Sequence, residues 1–247
     1  MLNKRTKLVV SMPIYNEAKK IEKWLFDIRS ALFEFDTHFI VVNDASKDNS
    51  RNILEDLKLE FENLSVINND RNLGHGRSTL LGIKQAMVLE PDLLMTVDGD
   101  GGILTTRLKA FVKKALKSEF DVVEGVRVNR VDPIYRKVIS ILVRILVFLK
   151  CKKMPKDGNT PIRIYRAEIA SEVISSVPEE LKIPNMCISA WTRKRNLRVI
   201  ENEIECDNMG ELVNKGSTWS NSRRNIPNLR FIKFCFGALI EWFRFKL

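Results

Sequence analysis

Two aspartates, Asp98 and Asp100, flank a single glycine directly after the apolar run Leu93 to Val97. In a turn at a strand end, carboxylates at that spacing converge on one hard cation, magnesium or manganese, that bridges the phosphates of a bound nucleotide. A second group, Asn72, Gly74, His75, Gly76 and Arg77, opens a helical pattern. Its glycines permit close backbone approach, a helix N-terminus favours anions, and Arg77 adds a donor. It is not a Walker A loop, because no Gly-Lys-Ser/Thr follows, nor a dinucleotide GxGxxG. His75, a loop histidine beside glycines, is expected to be incidental to the chemistry. A third group, Asn43 and Asp44, ends another apolar run and precedes Ser46 and Asp48. Capping of the next helix is assigned to Ser46 or Asp48, which leaves Asp44 free to accept hydrogen bonds from a base or ribose.

These groups need elements that bring them to one edge. Leu8 to Ser11 is a β-branched apolar run halted at Pro13, and Ile21, Trp24, Leu25 and Ile28 mark a helix from about Glu17 to Phe35. His38 to Val42 reads as a strand before the turn that starts at Asn43, and Ile53, Leu54 and Leu57 mark the next helix. Leu64 to Ile67 then precedes a helix from about Arg77 to Leu89, and Leu93 to Val97 precedes one from about Thr105 to Lys117. Strands alternating with helices of this length imply a mostly parallel α/β sheet, which binds ligands beyond the carboxyl ends of its strands. Every polar group named above falls on that edge.

Met12-Pro13-Ile14-Tyr15-Asn16-Glu17, Val42 to Asp48, Asn72 to Arg77 and Asp98-Gly99-Asp100, in this order and spacing, resemble the inverting family-two glycosyltransferases of GT-A fold. The resemblance covers Lys7 to about Arg166. Within that family the chain is most similar to the polyprenyl-phosphate glycosyltransferases, dolichol-phosphate mannose synthase among them, through Glu124 to Arg127, Arg136 with Ser140, and Asp157 to Arg163. It implies that Pro13, Tyr15, Asn16, Glu17, Asn43, Asp44, Asn72, Gly74 and Arg77 hold the nucleotide of a UDP- or GDP-sugar. Asp98 and Asp100 would serve the metal and diphosphate, with Arg127 and Arg163 near phosphates as catalytic residues. Arg127, Arg136 and Ser140 would take the phosphate of a polyprenyl acceptor. Asn43 stands where the family more often has aspartate, and Asp157 to Arg163 lacks the usual Ser-Gly-Phe before its arginine.

The second half carries two segments too short and too charged to span a bilayer, which needs about 20 predominantly apolar residues. Between Asp132 and Lys150, the residues Lys137, Ser140 and Arg144 form one narrow polar stripe; from Asn228 to Leu247, Arg230, Lys233, Gly237, Glu241 and Arg244 form another. Both are expected to lie amphipathically in the headgroup region of an anionic membrane, unless they pack on each other or across a dimer. The chain is thus divided into a GT-A domain over residues 1–225 and a membrane-associating helix over 226–247. A homo-oligomer is left open.

The 247 residues suffice for one large α/β domain, and 41 Lys plus Arg against 31 Asp plus Glu give a net charge of +10 that attracts an anionic partner. Charge alone suggests a nucleic-acid binder, but no interleaved aromatic and basic motif accompanies it, and no nucleic-acid partner is expected. A nucleotide-binding regulator without catalysis is the other rival. Four scattered cysteines give neither a zinc pattern nor a disulfide framework, and the N-terminus runs straight into a strand with no signal peptide, so the cytoplasmic face of a membrane is the expected location. Arg193, Lys194, Arg195, Arg198, Arg223 and Arg224 are each expected to be solvated. A hydroxyl acceptor needs a general base, whereas a phosphate monoester is already largely dianionic at neutral pH. The stretch Lys182 to Ser189 holds no carboxylate, which favours the phosphate; Glu179 and Glu180 are the candidate bases if the acceptor is instead the hydroxyl of a lipid-linked or surface glycan.

Overall fold

A computed structural model describes residues 5–129, 134–206 and 229–247. Arg223, Arg224, the boundary at 225 and the side chain of Arg230 lie outside the described residues. Seven strands form one sheet: β1 (Lys7–Ile14), β2 (Asp36–Asn43), β3 (Leu64–Asn68), β4 (Leu93–Val97), β5 (Val122–Val128), β6 (Ile162–Arg166) and β7 (Val199–Glu205). Their order is β3-β2-β1-β4-β6-β5-β7. The first four are parallel, as the alternating pattern predicts, but β6 enters antiparallel to both β4 and β5 before β7 pairs parallel with β5. Strand direction leaves no mark on hydrophobic period, so the pattern could not reveal this reversal.

Side-chain alternation builds two cores. On β1, Leu8, Val10 and Met12 join α1 (Ile21–Ala31), α2 (Ser50–Glu60) and α4 (Leu108–Leu116) on one face. Val9 points the other way, to α3 (His75–Met87), α5 (Ile134–Cys151), α6 (Ala167–Ser176), α7 (Pro184–Lys194) and α8 (Leu229–Arg244). The helix expected from Glu17 starts only at Ile21, and the one expected from Thr105 opens with a 3-10 turn over Thr105–Arg107.

The last helix docks on the sheet layers. Trp242 and Phe245 are buried in the second core, and Lys150 Nζ donates to the carbonyls of both, at the unsatisfied C-terminal end of α8. Tyr135 and Phe231 meet edge to face with centroids 5.7 Å apart, so α5 and α8 run side by side in the same direction. Among the described residues, no helix is long and apolar enough to cross a membrane.

Candidate functional site

The Asp98–Gly99–Asp100 turn leaves the carboxyl end of β4, next to the ends of β1 and β6. Asp98 is fixed at its backbone: its N–H donates to Pro161 O at 3.0 Å and its carbonyl accepts from Trp24 Nε1 at 3.2 Å. Gly99 is demanded by close approach, since a Cβ there would sit 2.4 Å from Ile14 Cγ2 and 2.7 Å from Pro13 O. The turn thereby seats directly on the Pro13–Tyr15 segment. Lys20 Nζ donates to Asp100 O at 2.9 Å and holds the far side of the turn.

Half-burial, helped by Asp100, pushes the Asp98 carboxyl up to about 6, against the opposing pull of His75, Arg127 and Arg163. Glu17 is likewise pushed up to about 7, by burial first and then by Asp100, with Lys20 opposing and Asp48 adding. Burial is the main cause of both shifts, and Asp100 adds to each, so Glu17, Asp98 and Asp100 share this edge. Among the described residues, no group of three or more His, Cys, Asp or Glu is gathered to hold an ion. Two hard oxygen donors, with the remaining positions left to phosphate or water, fit magnesium or manganese held jointly with a diphosphate.

His75 is not incidental in position: its Nε2 lies 3.4 Å from Asp98 Oδ1. Gly76 follows it because a Cβ there would meet Lys182 O at 2.5 Å and Leu181 O at 2.6 Å. The first turn of α3 thus touches both the acidic turn and the loop before α7. The sequence placed His75 in the right loop, but the contact runs across the sheet edge and no local spacing encodes it.

Several residues read as ligands have hydrogen-bond partners within the protein. Asp44 is not free: its Oδ1 accepts from Asn69 Nδ2 and Leu73 N, its Oδ2 from Gly74 N, all at 2.8 Å. The anion that satisfies the amides ahead of α3 is this buried carboxylate, and Asn72 Nδ2 donates to Asp44 O at 3.1 Å. Asn16 accepts from Lys47 N at 2.7 Å while its own N–H donates to Ser46 Oγ at 2.9 Å, clasping the β1 and β2 loops. Asn43 accepts from Ser46 N and donates to Asn68 Oδ1. Ser46 therefore caps no helix, and Asp48 splits its oxygens between Ser50, at the start of α2, and Ala18 N. Arg77 is half-buried in the groove between α3 and α6, its Nε donating to Glu180 O at 3.1 Å. Pro13 lines a small cavity with Asp98, Thr160, Pro161 and Asn185, while Tyr15 is half-buried.

The arginines are also engaged. Arg127, at the end of β5, makes a paired contact with Asp157, Nε to Oδ2 at 2.7 Å and Nη2 to Oδ1 at 2.9 Å, and Nη2 also reaches Asn159 O at 2.7 Å. Arg163 is fully buried, donating to Glu124 Oε1 at 3.0 Å and to Asn185 Oδ1 and O at 2.8 and 2.7 Å. Arg193, expected on a solvated face, is buried too and bridges Glu124 Oε2 at 2.7 Å and Glu201 Oε1 at 2.8 Å. Both Arg127 and Arg163 act on Asp98 through their charge, and Arg163 is a strut of the site rather than an exposed phosphate donor. Arg136 and Ser140 are half-buried on α5.

Residues 9–171, most of the sheet with the acidic turn, match the family described as glycosyl transferase family 2. The chain belongs to it. Undecaprenyl-phosphate 4-deoxy-4-formamido-L-arabinose transferase of Proteus mirabilis (strain HI4320) is 27% identical over 205 residues, covering 82% of this chain and 62% of that protein. The enzyme of the same name from Klebsiella pneumoniae (strain 342) is 26% identical over 202 residues, with 81% and 61% covered. The chain thus spans less than two thirds of the length of these curated relatives. Among solved structures, TarS 1-349 of S. aureus in complex with UDP superposes with a TM-score of 0.56 at 25% identity, covering 79% of this chain and 57% of that one. The mannosyltransferase PcManGT from Pyrobaculum calidifontis, in complex with GDP-Man and Mn2+, shares the GT-A fold at a TM-score of 0.56 and 16% identity, with 83% and 57% covered. The mostly parallel sheet flanked by helices is the GT-A glycosyltransferase architecture of this family.

Proposed function

We propose that this family 2 glycosyltransferase transfers a sugar, with inversion, from a UDP- or GDP-sugar to a polyprenyl phosphate at the cytoplasmic face of a membrane. The observation that carries the donor half is the paired carboxylates, Asp98 and Asp100, crowded at the carboxyl end of β4 beside Pro13 and Glu17. Asp98 and Asp100 would hold magnesium or manganese, which when bound neutralises charge on the leaving nucleoside diphosphate. Lys20 and Trp24 keep that turn in place through its carbonyls, and Asp157 aims Arg127.

The acceptor half rests on the undecaprenyl-phosphate relatives and on the carboxylate-free start of α7. Glu179, the candidate base for a hydroxyl, is paired with Lys84 at 2.7 Å. It lines with Glu180 a groove between α3 and α6 that shares no residue with the cavity at Asp98. A lipid phosphate is ionised on arrival and asks nothing of them.

The test is incubation of labelled UDP- and GDP-sugars and manganese with undecaprenyl or dolichyl phosphate, then organic extraction and mass analysis. Label in the lipid phase is the expected result. Label on a glycan hydroxyl, with a loss of about 10² or more in Glu179→Gln or Glu180→Gln, overturns the acceptor and keeps the family.

A further inference from the structure

An ordinary surface helix turns its apolar stripe inward. Helix α5 carries apolar side chains on its outer face as well. Its inner face packs Val143, Leu146, Val147 and Cys151 against the second core, with Arg144 and Lys150 among them, whereas its exposed face carries Ile134, Val138, Ile141, Leu142, Ile145, Phe148 and Leu149 with Lys137 the sole charge. The inward polar groups have protein partners: Arg144 Nε donates to Pro155 O at 2.9 Å and Lys150 to the end of α8. Beside it, α8 exposes Leu229, Ile232, Phe236, Leu239, Ile240 and Phe243, Phe236 at 68% and Phe243 at 70%. Solvent-exposed apolar area of this extent on two adjacent helices marks an interaction surface.

The charges around it select the occupant. From Ile134 to Lys156 there are seven cations, Arg136, Lys137, Arg144, Lys150, Lys152, Lys153 and Lys156, and no Asp or Glu. From Leu229 to Leu247 the one acid is Glu241, and its Oε2 is turned to the protein to accept Lys182 N at 2.8 Å. Lys137, Lys152, Lys153, Lys233, Arg244 and Lys246 are exposed about the apolar stripes. A second copy meeting this face about a two-fold axis would bring cations against cations. An anionic phospholipid surface supplies both the apolar depth and the opposite charge.

We propose that the outer faces of α5 and α8 form a single docking platform for anionic phospholipid bilayers, its two helices joined by Lys150 and tied to the loop before α7 by Glu241. This deepens the lipid-acceptor reading and rests on it for its purpose. Both helices lean on loops of the site. Val143 packs against Gly158, where an added Cβ would come within 2.8 Å of Val143 Cγ1, beside the Asp157 that holds Arg127. Glu241 ties α8 to the Lys182 backbone, the same residue whose carbonyl crowds Gly76 and hence lies next to His75. A membrane under the platform is therefore held at the margin of the acidic turn.

The experiment is co-sedimentation of the full chain with vesicles of phosphatidylcholine alone and with about 30% phosphatidylglycerol, free of polyprenyl phosphate and nucleotide, so that it is independent of the transfer reaction. The wild-type protein is expected to bind the anionic vesicles, more weakly as salt rises. Leu142→Glu with Phe236→Glu and Phe243→Glu, all exposed positions outside the site, is expected to lose at least about tenfold in partitioning while keeping its circular dichroism and its stabilisation by nucleotide and manganese. Failure of the wild type to bind, or binding of the triple variant equal to wild type, overturns the platform. A wild-type dimer that the triple variant converts to monomer, without vesicle binding by either, assigns the face to a second copy. None of these outcomes changes the transfer assay, run on a short-chain prenyl phosphate in solution, which alone decides the acceptor.

Discussion

Arg127 and Asp157 form two parallel charge-assisted hydrogen bonds across the gap between β5 and the loop before β6, at 2.7 and 2.9 Å. Burial alone would lower the arginine's proton affinity, but Asp157 more than offsets it and the guanidinium is held firmly charged. That geometry fixes a planar cation whose charge acts on Asp98, with Nε and Nη2 held by Asp157 and Asn159. Asp157→Asn keeps the shape and weakens the grip. Steady-state kinetics on the lipid phosphate should show kcat/KM falling by roughly 10- to 100-fold with the melting temperature little changed. An unaltered kcat/KM would show that Arg127 needs no such hold.

Asp100 supplies charge to a site with only two carboxylates of its own at the turn. Asp100→Asn retains volume and loses that charge, so transfer should vanish. The manganese-dependent part of thermal stabilisation by UDP or GDP should go with it, since a ligand stabilises only in proportion to its occupancy. Unchanged activity in this variant removes the metal assignment, whatever the nucleotide does.

Glu124 sits under the site between Arg163 and Arg193, with all three side chains buried. Burial raises its pKa, yet the two arginines pull harder and the net position lies below the ordinary 4.5. A depressed carboxylate contributes stability that is fully present above its unfolded pKa and is lost as pH falls through the folded value. Glu124→Gln should therefore destabilise the fold by about 3–5 kcal/mol at neutral pH, by leaving two buried cations short of their counter-ion. Denaturant titrations below pH 4.5 should show a shallower acid loss in the variant than in the wild type.

How much of this was legible beforehand differs by feature. The strands β1 to β4 and the acidic turn could be read because each is a local signal: an apolar run, then polar punctuation. Roles within the loops were harder. Asp44 has the composition of a ligand, yet it serves amides about thirty positions later in the chain, at Leu73 and Gly74. Glu124, Arg163 and Arg193, with the half-buried Glu201, gave no sign of forming one network, because charge type tells nothing about burial until four elements meet. α5 and α8 were recognisable as greasy and cationic, but which face turns outward is set by packing. The pattern gave a membrane-facing helix and a packed helix as alternatives, and α5 has features of both: Val143 and Val147 pack inward while Ile141 and Leu142 face out.

Two glycines separate close approach from mere flexibility. Gly76, in the first turn of α3, has no room for a methyl group because Lys182 O would lie 2.5 Å and Leu181 O 2.6 Å from a Cβ, and both are backbone atoms that move only with their loop. Gly237, inside α8, has nothing within 4 Å of the same position and no left-handed backbone. Replacing each by alanine improves helix propensity by about 0.5–1 kcal/mol, which is the whole effect expected at Gly237. At Gly76 overpacking costs about 1–3 kcal/mol and reverses the sign. For a chain of this size each kcal/mol moves the melting temperature by about 2–4 °C, so Gly237→Ala should melt higher and Gly76→Ala lower than wild type. Because the loop displaced by Gly76→Ala is the one Glu241 ties to α8, and His75 beside it faces Asp98, that variant should also lose transfer activity, whereas Gly237→Ala should keep it. Equal melting temperatures and equal activity for the two variants would show that the α3 start and the Lys182 loop are not packed as described.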